Sequence, residues 1–178
     1  RSDFDLNPDA PRPARARPAA VICPLLPREQ GLQVVLTRRA AHLRAHAGQI
    51  AFPGGKVEPG DPSPLAAALR EAAEEIALMP GQVEVLGALD PYRTVTGFRV
   101  LPFVALVCPR WRPVPDPNEV DAVFEVPLDF LMDPGNLVTG AHERAGRRRA
   151  YYAMPWGEHY IWGATAGMLK GLADRISA

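Results

Sequence analysis

The sequence predicts an α/β protein in which helices pack on the faces of one mixed β-sheet. Two features predict this class: short runs rich in Val, Leu and Phe that are bounded by Gly, Pro or Asp, and longer segments with helical spacing of apolar residues. These signals interleave without strict βαβ regularity, which favours a mixed sheet over a parallel one. The 178 residues, 47% of them hydrophobic, suffice for a single domain that needs no disulfide or structural zinc.

The strands are predicted from five apolar runs, at residues 20–26, 32–37, 83–88, 100–108 and 120–126. Residues 151–154 add a late strand. The first 18 residues contain four prolines and little apolar content, so we expect an arm that lies over the surface or is partly unfolded. The predicted organisation is therefore a Pro-rich arm at residues 1–18 and one domain at residues 19–178.

Helical signals occupy residues 64–78, a short turn at 127–132 and residues 163–176. The first helix is the best specified, because Ser63 is a good N-cap and Pro64 suits the first helical position. At 100° per residue its apolar side chains fall in a sector about 60° wide, and Glu71, Glu74 and Glu75 lie about 140° away. We therefore expect one face of this helix to pack on the sheet and the opposite face to be acidic.

The overall charge is balanced, with 20 Lys and Arg residues against 20 Asp and Glu residues. Such a protein has no global field that attracts nucleic acid or an acidic membrane, so we expect neither as a partner. No apolar run approaches the roughly 20 residues needed to span a bilayer, and the apolar stretch after the arm lacks a signal-peptide cleavage site. We expect a cytoplasmic protein that acts on a small molecule, and its oligomeric state stays open.

The acidic helix face has two interpretations. Carboxylates at positions i, i+3 and i+4 repel one another, and near the C-terminal end of a helix the helix dipole also disfavours them. A bound Mg²⁺ or Mn²⁺ would remove that penalty, since both ions prefer oxygen ligands. The alternative is a solvated glutamate-rich face that Arg70 supports through an i, i+4 pair with Glu74.

A long motif spans residues 55–76. It consists of GKVEPGD at 55–61 and REAAEEI at 70–76. It resembles the signature of the Nudix hydrolases: a glycine, five residues, a glutamate, seven residues, Arg-Glu, two residues, Glu-Glu, one residue and a glycine. Three positions depart from it: Asp61 stands at the first glutamate, eight residues separate Asp61 from Arg70, and Ala77 replaces the final glycine. The resemblance implies an α/β/α sandwich with a mixed sheet and a catalytic loop-helix-loop.

A second motif narrows the resemblance. LTRRA at 36–40 and LRAHAGQIAFPGG at 43–55 are similar to the pattern that marks the coenzyme A pyrophosphatases among the Nudix hydrolases. That subfamily resemblance implies hydrolysis of the diphosphate of coenzyme A (CoA) or its derivatives, giving 3′,5′-ADP and 4′-phosphopantetheine or its acyl form. The implied cofactor is Mg²⁺ or Mn²⁺.

The metal and catalytic residues are expected on the first helix and next to it. Within the resemblance, Glu71 and Glu75 are the expected direct ligands, with Glu74 as a further ligand and the Gly55 carbonyl as a candidate. Arg70 is expected to brace these carboxylates rather than touch substrate. The base that deprotonates water is either a helix glutamate or Glu119 from a later loop.

Substrate contacts are expected from basic residues on either side of the glycine turn at 54–55. Arg38, Arg39, Arg44 and Lys56 are candidates for phosphate binding, with Arg38 and Arg44 preferred, and His46 is a candidate for bonding to substrate. For each arginine the alternative is simple solvent exposure. Two further functions stay open: cleavage of another nucleoside diphosphate compound such as ADP-ribose or a dinucleotide, and a non-catalytic nucleotide-binding module.

Overall fold

An eight-stranded mixed β-sheet forms the centre of the fold, in a computed structural model that describes residues 1–43, 45–144 and 146–177. The central order is β3-β2-β1-β7-β5, while β4 pairs with β1, β6 with β7 and β8 with β2. Only β1 and β7 are parallel to each other, and the other pairs are antiparallel. The strands are β1 (Arg17–Arg28), β2 (Gly31–Arg39), β3 (Ile50–Ala51), β4 (Gly54–Lys56), β5 (Val83–Ala88), β6 (Tyr92–Arg93), β7 (Phe98–Val107) and β8 (Val120–Pro127).

Helices cover both faces of this sheet. The helix α1 (Pro64–Ile76) packs on one face through Ala68, Ala72 and Ile76, which are fully buried. On the other face lie α2 (Leu128–Met132) and α3 (Ala164–Ile176), which share a second buried cluster with Val34 and Leu36 of β2. The predicted fold class, an α/β protein with helices on both faces of a mixed sheet, is confirmed.

A second, three-stranded antiparallel sheet lies in the C-terminal part of the chain. It consists of β9 (Val138–Arg144), β10 (Arg147–Trp156) and β11 (His159–Trp162). The predicted strand at 151–154 lies within β10, whereas β9 and β11 were not predicted. Two contacts join this region to the main sheet: the ring of His159 stacks on Phe124 with centroids 3.7 Å apart, and the Thr165 hydroxyl donates to the Ile50 carbonyl at 3.0 Å.

The N-terminal arm is attached to both sheets. Asp3 accepts hydrogen bonds from the Tyr92 hydroxyl and the Val95 amide, each at 2.8 Å. The side chain of Asn7 both donates to and accepts from the backbone of Ala150, again at 2.8 Å. Phe4 is buried beside these contacts. The last two residues of the predicted arm, Arg17 and Pro18, already belong to β1, and the division into an arm and a domain at residue 18 stays a prediction.

None of the described helices is long and apolar enough to cross a membrane.

Candidate metal and substrate site

The helix α1 begins and ends at well-defined signals. The Ser63 hydroxyl accepts from the Ala66 amide at 3.1 Å and caps the N-terminus. At the other end Ala77 adopts a left-handed conformation, with φ 55° and ψ 34°, where a glycine is the usual residue. Its amide hydrogen-bonds back to carbonyls of the last turn. These two caps fix where the glutamates of the helix stand relative to the sheet.

The three glutamates on the acidic side of α1 differ in exposure. Glu75 is 2% exposed and belongs to the protein interior, whereas the Glu74 side chain is 53% exposed. The reason is that β4 crosses over this side of the helix. The Gly54 amide donates to the Glu75 carboxylate at 3.1 Å, so this carboxylate lies against the start of β4 and not in solvent.

Both glycines of the turn make close contacts, with backbone at Gly54 and with a glutamate side chain at Gly55. A Cβ on Gly55 would overlap the carboxylate of Glu71, and one on Gly54 would overlap the Ala20 carbonyl and the backbone of Val21. Gly54 also has φ 144°, which disfavours any side chain. The turn therefore seats β4 directly against the two helix glutamates.

The segment between β7 and β8 delivers the third carboxylate. It crosses the C-terminal end of α1, where the amides of Asp116 and Val114 donate to the carbonyls of Glu75 and Ile76. These bonds satisfy carbonyls that a helix end leaves without partners. Beyond the crossing, the carbonyl of Glu119 accepts from the Ala40 amide at 2.8 Å, which ties the segment to the end of β2.

Glu71, Glu75 and Glu119 converge as a result. Each offers a carboxylate oxygen that lies within 4.8 Å of the others. Three carboxylates at this separation provide hard oxygen donors suited to Mg²⁺ or Mn²⁺. The donor set therefore fits the divalent metal that the sequence motif implies.

The pKa values of Glu75 and Glu71 also favour a bound cation. Burial raises the pKa of Glu75 to about 7, an effect that the charges of Glu71 and Glu119 increase and that the Gly54 amide and Arg39 partly offset. Burial likewise raises the pKa of Glu71. Both shifts mean that the negative charge gathered here is only partly compensated by the protein, and a cation would complete the compensation.

Arg70 contacts three carboxylates on one side of the cluster, and its predicted bracing role stays a prediction. Its guanidinium makes a two-pronged contact with Asp61, from Nε at 3.0 Å and from Nη2 at 3.1 Å. It also donates to Glu71 at 3.1 Å and to Glu74 at 3.2 Å. The pKa of Arg70 rises well above its usual value through these contacts, and that of Asp61 falls. Asp61, which was given no firm role from the sequence, thus holds Arg70 in place.

Neither Glu74 nor Gly55 contributes a side-chain carboxylate to the group of three. Glu74 is on the exposed side of α1 and contacts Arg70, outside the group formed by Glu71, Glu75 and Glu119. Gly55 packs directly on Glu71. Their roles as ligands stay predictions, as do those of the other candidate residues.

The residues predicted to contact substrate do not all lie next to the converging carboxylates. Arg38 follows Leu36 on the β2 face away from α1, because side chains alternate along a strand. Lys56 is exposed on β4, and only its carbonyl contacts Arg70. His46 is exposed, and its Nδ1 bonds to the Gln49 side chain at 2.7 Å. Arg44 lies outside the described residues.

Among the described candidates for substrate binding, Arg39 is the residue that lies next to the converging carboxylates. Its Nη1 lies 3.5 Å from the Glu75 carboxylate, a long separation for a hydrogen bond. The sequence analysis preferred Arg38 and Arg44 to Arg39. Side chains alternate along a strand, so the sequence indicated that Arg38 and Arg39 face opposite sides of the sheet. It did not indicate which side α1 covers.

The chain is similar to known proteins of one family. A model described as the NUDIX domain matches residues 16–146. A protein of Salmonella paratyphi B (strain ATCC BAA-1250 / SPB7) named Uncharacterized Nudix hydrolase NudL is 48% identical over 165 residues, which cover 90% of this chain and 83% of that protein. The protein of the same name from Salmonella newport (strain SL254) has the same identity and coverage.

Solved structures have the same fold at low sequence identity. A Nudix hydrolase from M. smegmatis, RenU, has a TM-score of 0.63 and 19% identity, covering 91% of this chain and 86% of its own. The NUDIX domain of Shewanella oneidensis NrtR, solved as a complex with ADP ribose, has a TM-score of 0.56 and 19% identity, covering 92% and 90%. At such identity the likeness concerns the fold, and it confirms the sandwich that the motif implies.

Proposed function

Because the chain belongs to the Nudix hydrolase family, we propose that it cleaves the diphosphate bond of coenzyme A or a CoA derivative. Membership of the family supports an enzyme that hydrolyses a nucleoside diphosphate derivative with a divalent metal. The proposed products are 3′,5′-ADP and 4′-phosphopantetheine, or acyl-phosphopantetheine from an acyl-CoA.

One observation carries the choice of CoA. The segment at 36–55 that resembles the CoA pyrophosphatase pattern forms the end of β2, β3 and the start of β4. This segment surrounds the carboxylates: Gly54 donates to Glu75, Gly55 packs on Glu71, and Arg39 contacts Glu75. The subfamily motif and the candidate metal site are therefore one structural unit, which supports reading the motif as a substrate signal.

The chemistry required is attack of water on a phosphorus atom of an anionic diphosphate. Bound Mg²⁺ or Mn²⁺, held by Glu71, Glu75 and Glu119, would neutralise phosphate oxygens and lower the pKa of water. The chain itself must hold these carboxylates in place, which Arg70 does for Glu71 and the Gly54 amide does for Glu75.

A carboxylate oxygen must also accept the proton of the attacking water. The oxygens of Glu71 and Glu75 already accept hydrogen bonds from Arg70 and Gly54. Within the described part of the chain the Glu119 carboxylate accepts none, and it stands on a segment beside the cluster. The metal needs only one oxygen from each carboxylate, so we assign proton acceptance to the second oxygen of Glu119. Glu119→Gln should then lower kcat with less effect on KM.

Two other functions are outcomes of the same test. The carboxylates contact only the diphosphate in this account, so ADP-ribose or a dinucleotide would fit the same chemistry. A non-catalytic nucleotide-binding module is the third function, and the converging glutamates argue against it.

The experiment is a substrate panel with product identification. The protein is incubated with CoA, acetyl-CoA, oxidised CoA, ADP-ribose and a diadenosine polyphosphate in the presence of Mg²⁺ or Mn²⁺. We expect 3′,5′-ADP from the CoA compounds at the highest kcat/KM. Efficient cleavage of ADP-ribose with little cleavage of CoA would leave the family assignment intact and refute the CoA proposal.

A further inference from the structure

Arg39 has donor groups that the protein does not use. Its Nε is buried and has no hydrogen-bond partner among the described residues. The guanidinium makes one contact, the 3.5 Å approach of Nη1 to Glu75. An N–H group buried without an acceptor destabilises the folded protein. Native proteins therefore seldom leave such a group unpaired unless a ligand supplies the acceptor.

Arg70 provides the contrast within the same site. All three of its guanidinium nitrogens have acceptors: Nε and Nη2 on Asp61, and Nη1 on Glu71 and Glu74. Arg70 is therefore fully occupied by carboxylates of the protein. Arg39 also approaches the carboxylates, at the longer distance of 3.5 Å, and its side chain is 26% exposed, so its unused donors can turn to a molecule that enters from solvent.

The backbone of Arg39 is held firmly from both sides. Its amide donates to the Gln49 carbonyl and its carbonyl accepts from the Gly48 amide, each at 3.0 Å. The next residue, Ala40, donates to Glu119. The backbone from which the guanidinium extends is therefore held by the same segments that carry the subfamily motif and the third carboxylate.

We propose that Arg39 binds a phosphate oxygen of the substrate's diphosphate, beside the metal held by Glu71, Glu75 and Glu119. This inference rests on one part of the proposed function, that the substrate contains a diphosphate, and does not require that the substrate is CoA. A phosphate oxygen is a charged acceptor, and a guanidinium presents paired N–H groups that fit it. The long contact to Glu75 then leaves enough freedom for the guanidinium to turn toward the substrate.

The alternative role is that Arg39 only steadies Glu75, and the two roles predict opposite results. The probe is α,β-methylene-ADP, a nucleoside diphosphate whose bridge water cannot cleave. Arg39→Gln and Arg39→Lys are compared with wild type for Mn²⁺ affinity without the probe, and for probe affinity of the Mn²⁺-loaded protein. The matched control is Arg112→Gln, an exposed arginine whose guanidinium donates only to the carbonyls of Pro109 and Trp111.

We expect Arg39→Gln to weaken probe binding by about ten- to a hundredfold while Mn²⁺ affinity stays the same or rises, because a cation next to Glu75 has been removed. Arg39→Lys keeps the charge but not the paired donors, so it should weaken probe binding as well. Thermal unfolding checks that each variant is folded. Weaker Mn²⁺ binding with normal probe affinity in either variant would overturn the proposal, as would wild type that does not bind the probe. Cleavage of ADP-ribose in place of CoA would contradict only the proposed function, because the probe lacks pantetheine and a second ribose.

Discussion

Replacing Glu75 by glutamine should change how the stability of the metal-free protein depends on pH. Glu75 is buried and has a pKa of about 7 in the folded protein, against an ordinary value of 4.5. At 1.36 kcal/mol per pKa unit this difference corresponds to about 3 kcal/mol. The amide of glutamine has the same shape and can still accept from Gly54, but it does not ionise.

The sign of the effect follows from the direction of the shift. A folded-state pKa above the unfolded value means that the protonated carboxyl stabilises the folded protein. That stabilisation is fully present below about pH 4.5 and is lost as the pH rises through about 7. Without metal, the wild type should therefore lose up to about 3 kcal/mol between pH 4.5 and 8 through Glu75, and Glu75→Gln should not lose this part.

The assay is denaturant unfolding in excess chelator at several pH values from 4.5 to 8. Only the pH dependence is compared, so any constant cost of the substitution cancels. Glu74→Gln is the matched control, because Glu74 is on the same helix and its side chain is exposed. Parallel curves of unfolding free energy for wild type and Glu75→Gln would refute the claim that the buried Glu75 carboxylate lacks a full counter-charge.

Three further substitutions test neighbouring features of the site. Gly55→Ala should weaken Mn²⁺ binding by about tenfold or more, because its Cβ would overlap Glu71, whereas Gly60→Ala meets no atom within 4 Å and should bind Mn²⁺ normally. Ala77→Gly should raise the free energy of unfolding by about 1 kcal/mol, since it relieves a left-handed alanine, and an unchanged value would contradict this. If Arg38 binds the 3′-phosphate of CoA, Arg38→Ala should lower kcat/KM roughly ten- to a hundredfold for CoA but not for dephospho-CoA. Equal losses on the two substrates would instead place Arg38 on the shared diphosphate or in the scaffold.

The five longer strands of the main sheet, β1, β2, β5, β7 and β8, were predictable from apolar runs in the sequence. β1, β2 and β7 are buried from both sides by helices and loops, so their sequences are nearly continuous apolar runs. The strands β3, β4 and β6 have only two or three residues, too few for any periodicity. In the second sheet β9 and β11 escaped prediction, because β9 mixes polar residues with a glycine and β11 has only four residues.

The site was predictable to the extent that it depends on local spacing. Glu71 and Glu75 are one helical turn apart, so their proximity follows from the sequence. Their burial does not, because it depends on where the glycine turn crosses the helix. Glu119 could be suggested only by the family resemblance, since its approach depends on a segment that folds over the end of α1. The choice between Arg38 and Arg39 required knowing which face of β2 the helix covers.

The central claim is that Glu71, Glu75 and Glu119 hold a divalent metal that the hydrolysis requires. The most direct measurement titrates chelator-treated protein with Mn²⁺ and follows bound metal and CoA turnover in the same samples. We predict no turnover before metal is added and turnover that rises with metal occupancy. In Glu71→Gln and Glu75→Gln we predict weaker Mn²⁺ binding and a kcat lowered about a hundredfold or more. Undiminished turnover in excess chelator, or wild-type metal binding and kcat in both variants, would contradict the account.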